Sequence, residues 1–386
     1  MLYFIRGKTM LKIIKGIDKP LLIVSIILFA IGLIMIYSAS NVTAFMQYEA
    51  DPSRYFLKEL FFMLAGVVAS IVLISVPTKR YAGFSWVIVF AIGIIIVVLS
   101  LLGQVVNGMS GWINYNGLGI QPSEFAKVAI IPLIATFYDN NAHDNKNFWK
   151  MMVPMIVAVL VTIAIVFQGD FGTAIIFFGL CLLMFFFSPV SRRIKVKIFG
   201  IGFVIAAVLG LILLIGADSI IPKEKLARFD FNDPCARYVT TGNQLCNGYI
   251  AINGGGLTGK GLGNSTQKYL YLPEAHTDFV FAIYVEELGM IGACVLFVLY
   301  FVLIVRIIVV GKRSKTVSGT LICYGVAFYI FMHIMVNLTG VLGLLPMTGV
   351  PLPFISYGGS ICWCIILALT MVQRVAFENS KRLKKV

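Results

Sequence analysis

The sequence predicts an all-α polytopic membrane protein, with about ten transmembrane helices and a large extracytoplasmic loop between helices 7 and 8. Three observations predict it. The chain is 59% hydrophobic and 12% charged, with a mean hydropathy of +0.94, more apolar surface than a water-soluble domain of 386 residues could bury. The apolar residues fall in runs near the length, about 20 residues, that crosses a bilayer. The basic residues lie between those runs, as they do on the cytoplasmic side of membrane proteins.

In order, the runs span 20–40, 56–76, 82–102, 122–138, 151–168, 170–188, 198–216, 279–306, 317–340 and 357–376. The first follows a basic stretch, like a signal peptide, but its apolar part exceeds the usual h-region of about 7–15 residues, so it reads as a retained helix. Gly169 and Asp170 are all that divides the fifth run from the sixth. An even number of spans leaves both termini on one side. With the N-terminus inside, 22 of the 31 Lys and Arg fall on the inner side, which makes both termini cytoplasmic. The net charge of +14 is then a topology signal and an attraction to anionic lipid, and no nucleic-acid partner is expected. The whole chain, 1–386, reads as one integral membrane domain.

Three loops face outward: 103–121, 217–278 and 341–356. The longest is too long for a mere connection, and its aromatic residues and glycine turns predict order. Its glycine-dense stretch, Asn253 to Gly263, allows two readings: backbone N–H groups lining an anion, or a flexible turn. It has neither Walker A nor dinucleotide-fingerprint spacing. Cys235 and Cys246 share this loop, and outside the membrane a disulfide between them is favoured. The isolated Cys181, Cys294, Cys323, Cys362 and Cys364 read as packing residues.

The chemistry concentrates in Tyr269–Gly289 (YLYLPEAHTDFVFAIYVEELG), which holds one His, four acids and no base at the mouth of an apolar helix. Such groups mark sites of chemistry or transport. Asp278 is the leading candidate, although it or Thr277 could instead cap the eighth helix. His276 is either a neighbour of that site or a loop residue, and at least one of Glu286 and Glu287 should face other helices. Glu124 and Lys127 share a helix face and read either as a local ion pair or as ionisable groups lining a cavity. Asp170 reads as a cap for the sixth helix and Asn337 as interhelical glue. The prolines, glycines and hydroxyls of 351–360, Ser356 among them, can hold non-helical backbone inside protein.

Four stretches in order, QPSEFAK (121–127), GDFGTA (169–174), GNQLCNGYIAINGGGLTGKGLGNSTQKYLYLPEAHTDFVFA (242–282) and TGVPLPFISYGGS (348–360), resemble the SEDS family, the FtsW, RodA and SpoVE proteins of bacterial shape, elongation, division and sporulation. STQKYLYLPEAHTDF looks more like FtsW than RodA. The resemblance covers essentially the whole chain. It implies a peptidoglycan glycosyltransferase in the bacterial cytoplasmic membrane, at the division septum for an FtsW type. Such an enzyme polymerises lipid II at the outer face, releases undecaprenyl pyrophosphate, and works with a class B penicillin-binding protein and other divisome membrane proteins. The family's essential aspartate falls on Asp278, and its cavity pair on Glu124 and Lys127. Lys268, Gln267 and Ser356 join these as substrate-binding candidates. Lys127 and Lys268, with Arg228 and Lys260 behind them, are candidates to meet the pyrophosphate, and a divalent cation, Mg or Mn, could assist. Two departures from the family pattern are Ser110-Gly111 before Trp112, where many members have Arg, and Gly169 before Asp170, where many have Pro. A lipid II flippase, an elongation-type polymerase and a non-catalytic scaffold are the alternatives.

Overall fold

The computed structural model describes residues 13, 15–48, 51–103, 110–115, 118–202, 234–238 and 242–383. Its long helices are α1 (Lys19–Tyr48), α2 (Arg54–Ser75), α3 (Tyr81–Leu102), α4 (Pro122–Asn140), α5 (Phe148–Phe167) and α6 (Phe171–Phe187). A seventh helix, α7, is described from 192 to 202; the rest of the predicted run 198–216 lies outside the described residues. Then come α8 (Asn243–Gly255), α9 (Val280–Lys312), α10 (Val317–Val341) and α11 (Gly359–Leu383).

Seven of these helices (α1, α2, α3, α5, α9, α10 and α11) are long and apolar enough to cross a membrane. The chain is a multi-pass membrane protein. The centre of the bundle is α4, which packs against α3, α5, α6, α10 and α11. Fourteen of its residues, Pro122 to Tyr138, are buried. Protein rather than lipid surrounds this helix, so it can carry Glu124 and Lys127. The outer helices α2 and α3 instead expose Leu64, Val68, Phe90 and Leu102, as lipid contact requires.

Polar ties hold the helix ends in two groups. At the ends predicted to lie inside, Arg306 donates to both oxygens of Asp18 (2.9 and 2.8 Å), Thr78 to Glu378 (2.6 Å) and Ser318 to Asp139 (2.6 Å). At the ends predicted to lie outside, Gln121 donates to Asp170 (2.7 Å) and the Tyr357 N–H to the His276 carbonyl (2.8 Å).

The loops depart from the sequence reading in two places. Loop 103–121 contains a small antiparallel hairpin, β1 (Ile113–Tyr115) and β2 (Leu118–Ile120), with Asn114 opposite Gly119. Three-residue strands carry too little alternation to read from sequence. The long outer loop contains α8, which buries Leu245, Cys246, Asn247, Gly248 and Ala251 and packs against α9. Glycines at Gly248, Gly254 and Gly255 lower its helix propensity, and packing overrides that deficit. Cys246 on α8 is bonded to Cys235.

Candidate active site

The site is built on a break in α9. Gly289 has φ +69° and ψ −175°, which interrupts the helix and frees backbone groups from their ladder. The glycine-dense loop supplies their partners. Lys260 and Gly261 donate their N–H groups to the Glu286 and Glu287 carbonyls (both 3.0 Å), and Met290 and Ile291 donate to Gly256 and Leu257 (2.9 and 3.1 Å). Unwound backbone inside a membrane protein is tolerated where protein satisfies it in this way. The approach requires glycine on both sides: a Cβ at Gly289 would lie 2.3 Å from the Leu257 oxygen, and one at Gly259 2.2 Å from the Glu287 oxygen. Of the two readings of the glycine stretch, an anion cradle and a flexible turn, the first loses two of its donors. The Lys260 and Gly261 N–H groups are spent on protein backbone.

Two buried carboxylates fasten the same loop. Glu286 accepts from Lys260 Nζ (2.6 Å), Ser265 Oγ (2.5 Å), and the N–H and hydroxyl of Thr266 (3.1 and 2.7 Å). Glu287 accepts from Ser38 Oγ on α1 (2.6 Å) and from Lys268 Nζ (3.1 Å), which also donates to the Gly263 carbonyl (2.7 Å). Both partners of the Lys268–Glu287 pair are buried. The Lys268 charge, expected to meet the pyrophosphate, is thus countered by Glu287 inside the protein. Lys260 is likewise committed to Glu286. Gln267 gives its N–H to Glu286 (3.3 Å) and belongs to this fastening. Arg228 lies outside the described residues.

From the fastened loop the chain runs to Asp278. Glu274, at φ +54°, turns its carbonyl to accept the N–H groups of Thr277 and Phe279 (both 3.2 Å). The helix cap is Phe279, with no side-chain cap hydrogen bond, so neither Thr277 nor Asp278 caps α9. The Asp278 side chain is half-buried and accepts from Thr277 Oγ1 (2.9 Å), a hydroxyl that also lies 2.7 Å from Glu274 Oε2. Burial is the main cause that lifts the Asp278 carboxyl to about 6; the Thr277 hydrogen bond opposes it and the negative Glu274 adds to it. Asn337 on α10 fixes the backbone here, donating through one amide nitrogen to the Asp278 and Val350 carbonyls (both 2.8 Å). Its expected role as interhelical glue has a definite object, and a small pocket beside Asp278 is lined by Asn337, Gly340, Thr348 and Val350. His276 is buried between Tyr55 and Tyr357, with ring centroids 4.6 and 5.8 Å away, and burial holds its imidazole below the usual range.

One turn back along α10 from Asn337, His333 completes a second cluster. Lys127 Nζ lies 2.7 Å from Glu124 Oε1 and 3.0 Å from His333 Nε2, and all three side chains are buried. The local ion pair expected of Glu124 and Lys127 is present, and His333, which reasoning from sequence did not assign, joins it. A lone His in an apolar run carries no spacing signal. Asp170 caps α6 by accepting from the Thr173 N–H (2.9 Å), as expected. Ser356 accepts from the Leu352 N–H (2.7 Å), which closes a turn. Buried Glu59 on α2, absent from the sequence reading, accepts from the Gly358 N–H (3.2 Å). Among the described residues no group of three or more His, Cys, Asp or Glu converges as a metal cage.

The profile of the cell cycle proteins FtsW, RodA and SpoVE matches residues 19–381. The chain belongs to this FtsW/RodA/SpoVE family. It is 32% identical over 381 residues to a probable peptidoglycan glycosyltransferase FtsW of Bacillus subtilis strain 168, covering 96% of this chain and 94% of that one. It is 34% identical over 369 residues to the counterpart of Coxiella burnetii, covering 94% and 96%. Stage V sporulation protein E of Bacillus subtilis is 34% identical over 364 residues, covering 93% and 96%. The fold is shared with a chain of a peptidoglycan synthase complex that coordinates polymerization and crosslinking (TM-score 0.76, 21% identity, 93% of this chain and 97% of that one). It is also shared with the rod shape determining protein RodA of Thermus thermophilus (TM-score 0.65, 21% identity, 93% and 96%).

Proposed function

We propose that this FtsW/RodA/SpoVE family member is a peptidoglycan glycosyltransferase that polymerises lipid II at the outer face of the bacterial cytoplasmic membrane, for septal wall synthesis. The observation that carries the reading is Asp278: a carboxylate at the outer mouth of a membrane helix, lifted toward neutrality and taken up neither by a cap nor by an ion pair. Relatives named FtsW support the septal assignment. The likeness to a synthase complex that also crosslinks supports a class B penicillin-binding protein as partner, with other divisome proteins around it. The charge distribution supports an orientation with both termini cytoplasmic.

In this reading the acceptor sugar hydroxyl attacks the anomeric carbon of the donor. The new C–O bond forms as the bond to undecaprenyl pyrophosphate breaks, with inversion from an α to a β link. Asp278 takes the hydroxyl proton, a task that suits a base whose pKa lies near the working pH. Thr277 and Asn337 hold it in place, through its carboxylate and its backbone. The pyrophosphate needs positive charge. The three described candidates, Lys268, Lys260 and Lys127, are paired with Glu287, Glu286 and Glu124, and of these Lys260 is the one whose side chain is partly exposed. A divalent cation held between a carboxylate and phosphate needs the substrate's own oxygens, and no step here is routed through one.

Purified protein with its partner, given lipid II, should build glycan that is resolved on gels, and Asp278→Asn should abolish it. Polymer from the Asn variant at the wild-type rate would end the assignment. Liposomes distinguish the flippase alternative, which requires translocation of lipid II without polymer.

A further inference from the structure

A cavity separate from the pocket at Asp278 lies where α6 ends and α7 begins. Its volume is about 720 Å³, and its wall is formed by Phe186, Val190, Arg192, Lys195, Val196 and Phe199. On the proposed orientation, on which this inference rests, it opens at the cytoplasmic surface. The wall is divided by chemistry. Val196 and Phe199 are exposed apolar side chains, and they match acyl chains rather than water. At the mouth, Lys195 Nζ donates to the Phe186 and Ser188 carbonyls (2.7 and 2.6 Å). This sets the ammonium at the negative end of the α6 dipole and leaves one of its three N–H bonds for another acceptor. Arg192 and Arg193 are exposed and pair with no acid among the described residues. Lys197 lies 5.1 Å from the Phe148 ring centroid, and the neighbouring Trp149 is 75% exposed, a residue type that anchors at the membrane interface. The cavity thus joins a cationic rim to an apolar slot at one membrane surface.

We propose that this cavity is a binding site for one membrane-resident anionic glycerophospholipid, its phosphodiester on Arg192 and Lys195 and an acyl chain along Val196 and Phe199. Basic pockets between transmembrane helices on the cytoplasmic side recognise such headgroups. A free phosphate would satisfy the rim but leave the apolar wall uncovered, so the lipid is the occupant that fits both halves.

The test is native mass spectrometry of the full-length protein released from micelles, titrated with phosphatidylglycerol and, separately, with phosphatidylcholine. Wild-type protein should retain one phosphatidylglycerol in preference to phosphatidylcholine, and excess inorganic phosphate should not displace it. Arg192→Gln with Lys195→Gln should weaken retention about thirtyfold, and Arg192→Gln alone about fivefold, from the attraction of each base near an anionic surface. Arg192→Lys with Lys195→Arg, which keeps the charge, should retain the lipid. Lys312→Gln with Arg313→Gln, an equal charge loss elsewhere on the same face, should leave retention unchanged. Equal retention of the two lipids, displacement by phosphate, equal loss in the Lys312/Arg313 control, or unchanged binding in the Arg192 variants would each overturn the proposal. The single Arg192 variant leaves the Lys195 carbonyl contacts intact, so a folding failure of the double variant does not blunt the test.

Discussion

Asp278 makes the sharpest prediction, because Thr277 and Glu274 push its carboxyl in opposite directions. If it acts as the base it must be ionised, so activity falls as the pH drops through its folded-state pKa. With that value at about 6, single-turnover glycan synthesis should lose about tenfold between its plateau and pH 5, whereas an unperturbed aspartate at 3.8 would lose less than about a tenth. The Thr277 hydroxyl stabilises the ionised form. A hydrogen bond to a charged group contributes about 1.5–3 kcal/mol, about one to two pKa units. Thr277 has one proton for three acceptors within reach: the Glu274 carbonyl, Glu274 Oε2 and Asp278 Oδ1. The share at Asp278 is then about half a unit. Thr277→Val should shift the acid limb up by about half a unit, which halves the rate near pH 6 and leaves the plateau intact. Glu274→Gln removes the like charge and should shift the limb down. The assay is the pH profile of lipid II polymerisation for the three proteins, matched for ionic strength. A wild-type limb near 4, or the two variants shifting it in the same direction, would refute the assignment of Asp278 as the titrating base.

Lys268→Met should cost about 3–5 kcal/mol, the penalty for stranding a buried carboxylate, read as thermal unfolding in detergent; adding Glu287→Leu should recover much of it, and equal loss in both proteins would count against the pair. Gly289→Ala should lower the unfolding temperature and open the outer loop to protease, because its Cβ meets the Leu257 oxygen at 2.3 Å; Gly83→Ala, with nothing within 4 Å of its Cβ, is the neutral comparison. Asn337→Leu should cut polymerisation by about a hundredfold, the typical cost of misplacing a catalytic group, and an unchanged rate would show that its ties to Asp278 and Val350 do not position the base.

Hydropathy and charge were enough to read most spans, since a lipid-facing helix must be apolar along its whole length. They were weakest where helices meet protein. Helix α4 is less apolar than α3, α5 and α6 and lies at the centre of the bundle, where protein rather than lipid surrounds its charges. The ends of α9 and α11 run past the predicted limits, to Lys312 and Leu383, because polar residues extend a helix beyond the bilayer as readily as they end it. Asp278 stood out by its position at a helix mouth, but the sequence left it poised between cap and base; the backbone turn at Glu274, which makes Phe279 the cap, removed the first role. Lys268 looked free because its partner Glu287 is nineteen positions away, just before the break at Gly289.

By itself, then, the sequence determined that the chain crosses a membrane repeatedly, where its long apolar helices lie and that its bases cluster between them. Those properties follow from composition and from spacing along the chain. Tertiary structure decided which charges are spent and which are available. Lys268, Lys260 and Lys127 are each matched to a carboxylate, and Asp278 is not. The physical reason is that the worth of a buried charge depends on its partner and its desolvation, both set by residues brought together from distant parts of the chain.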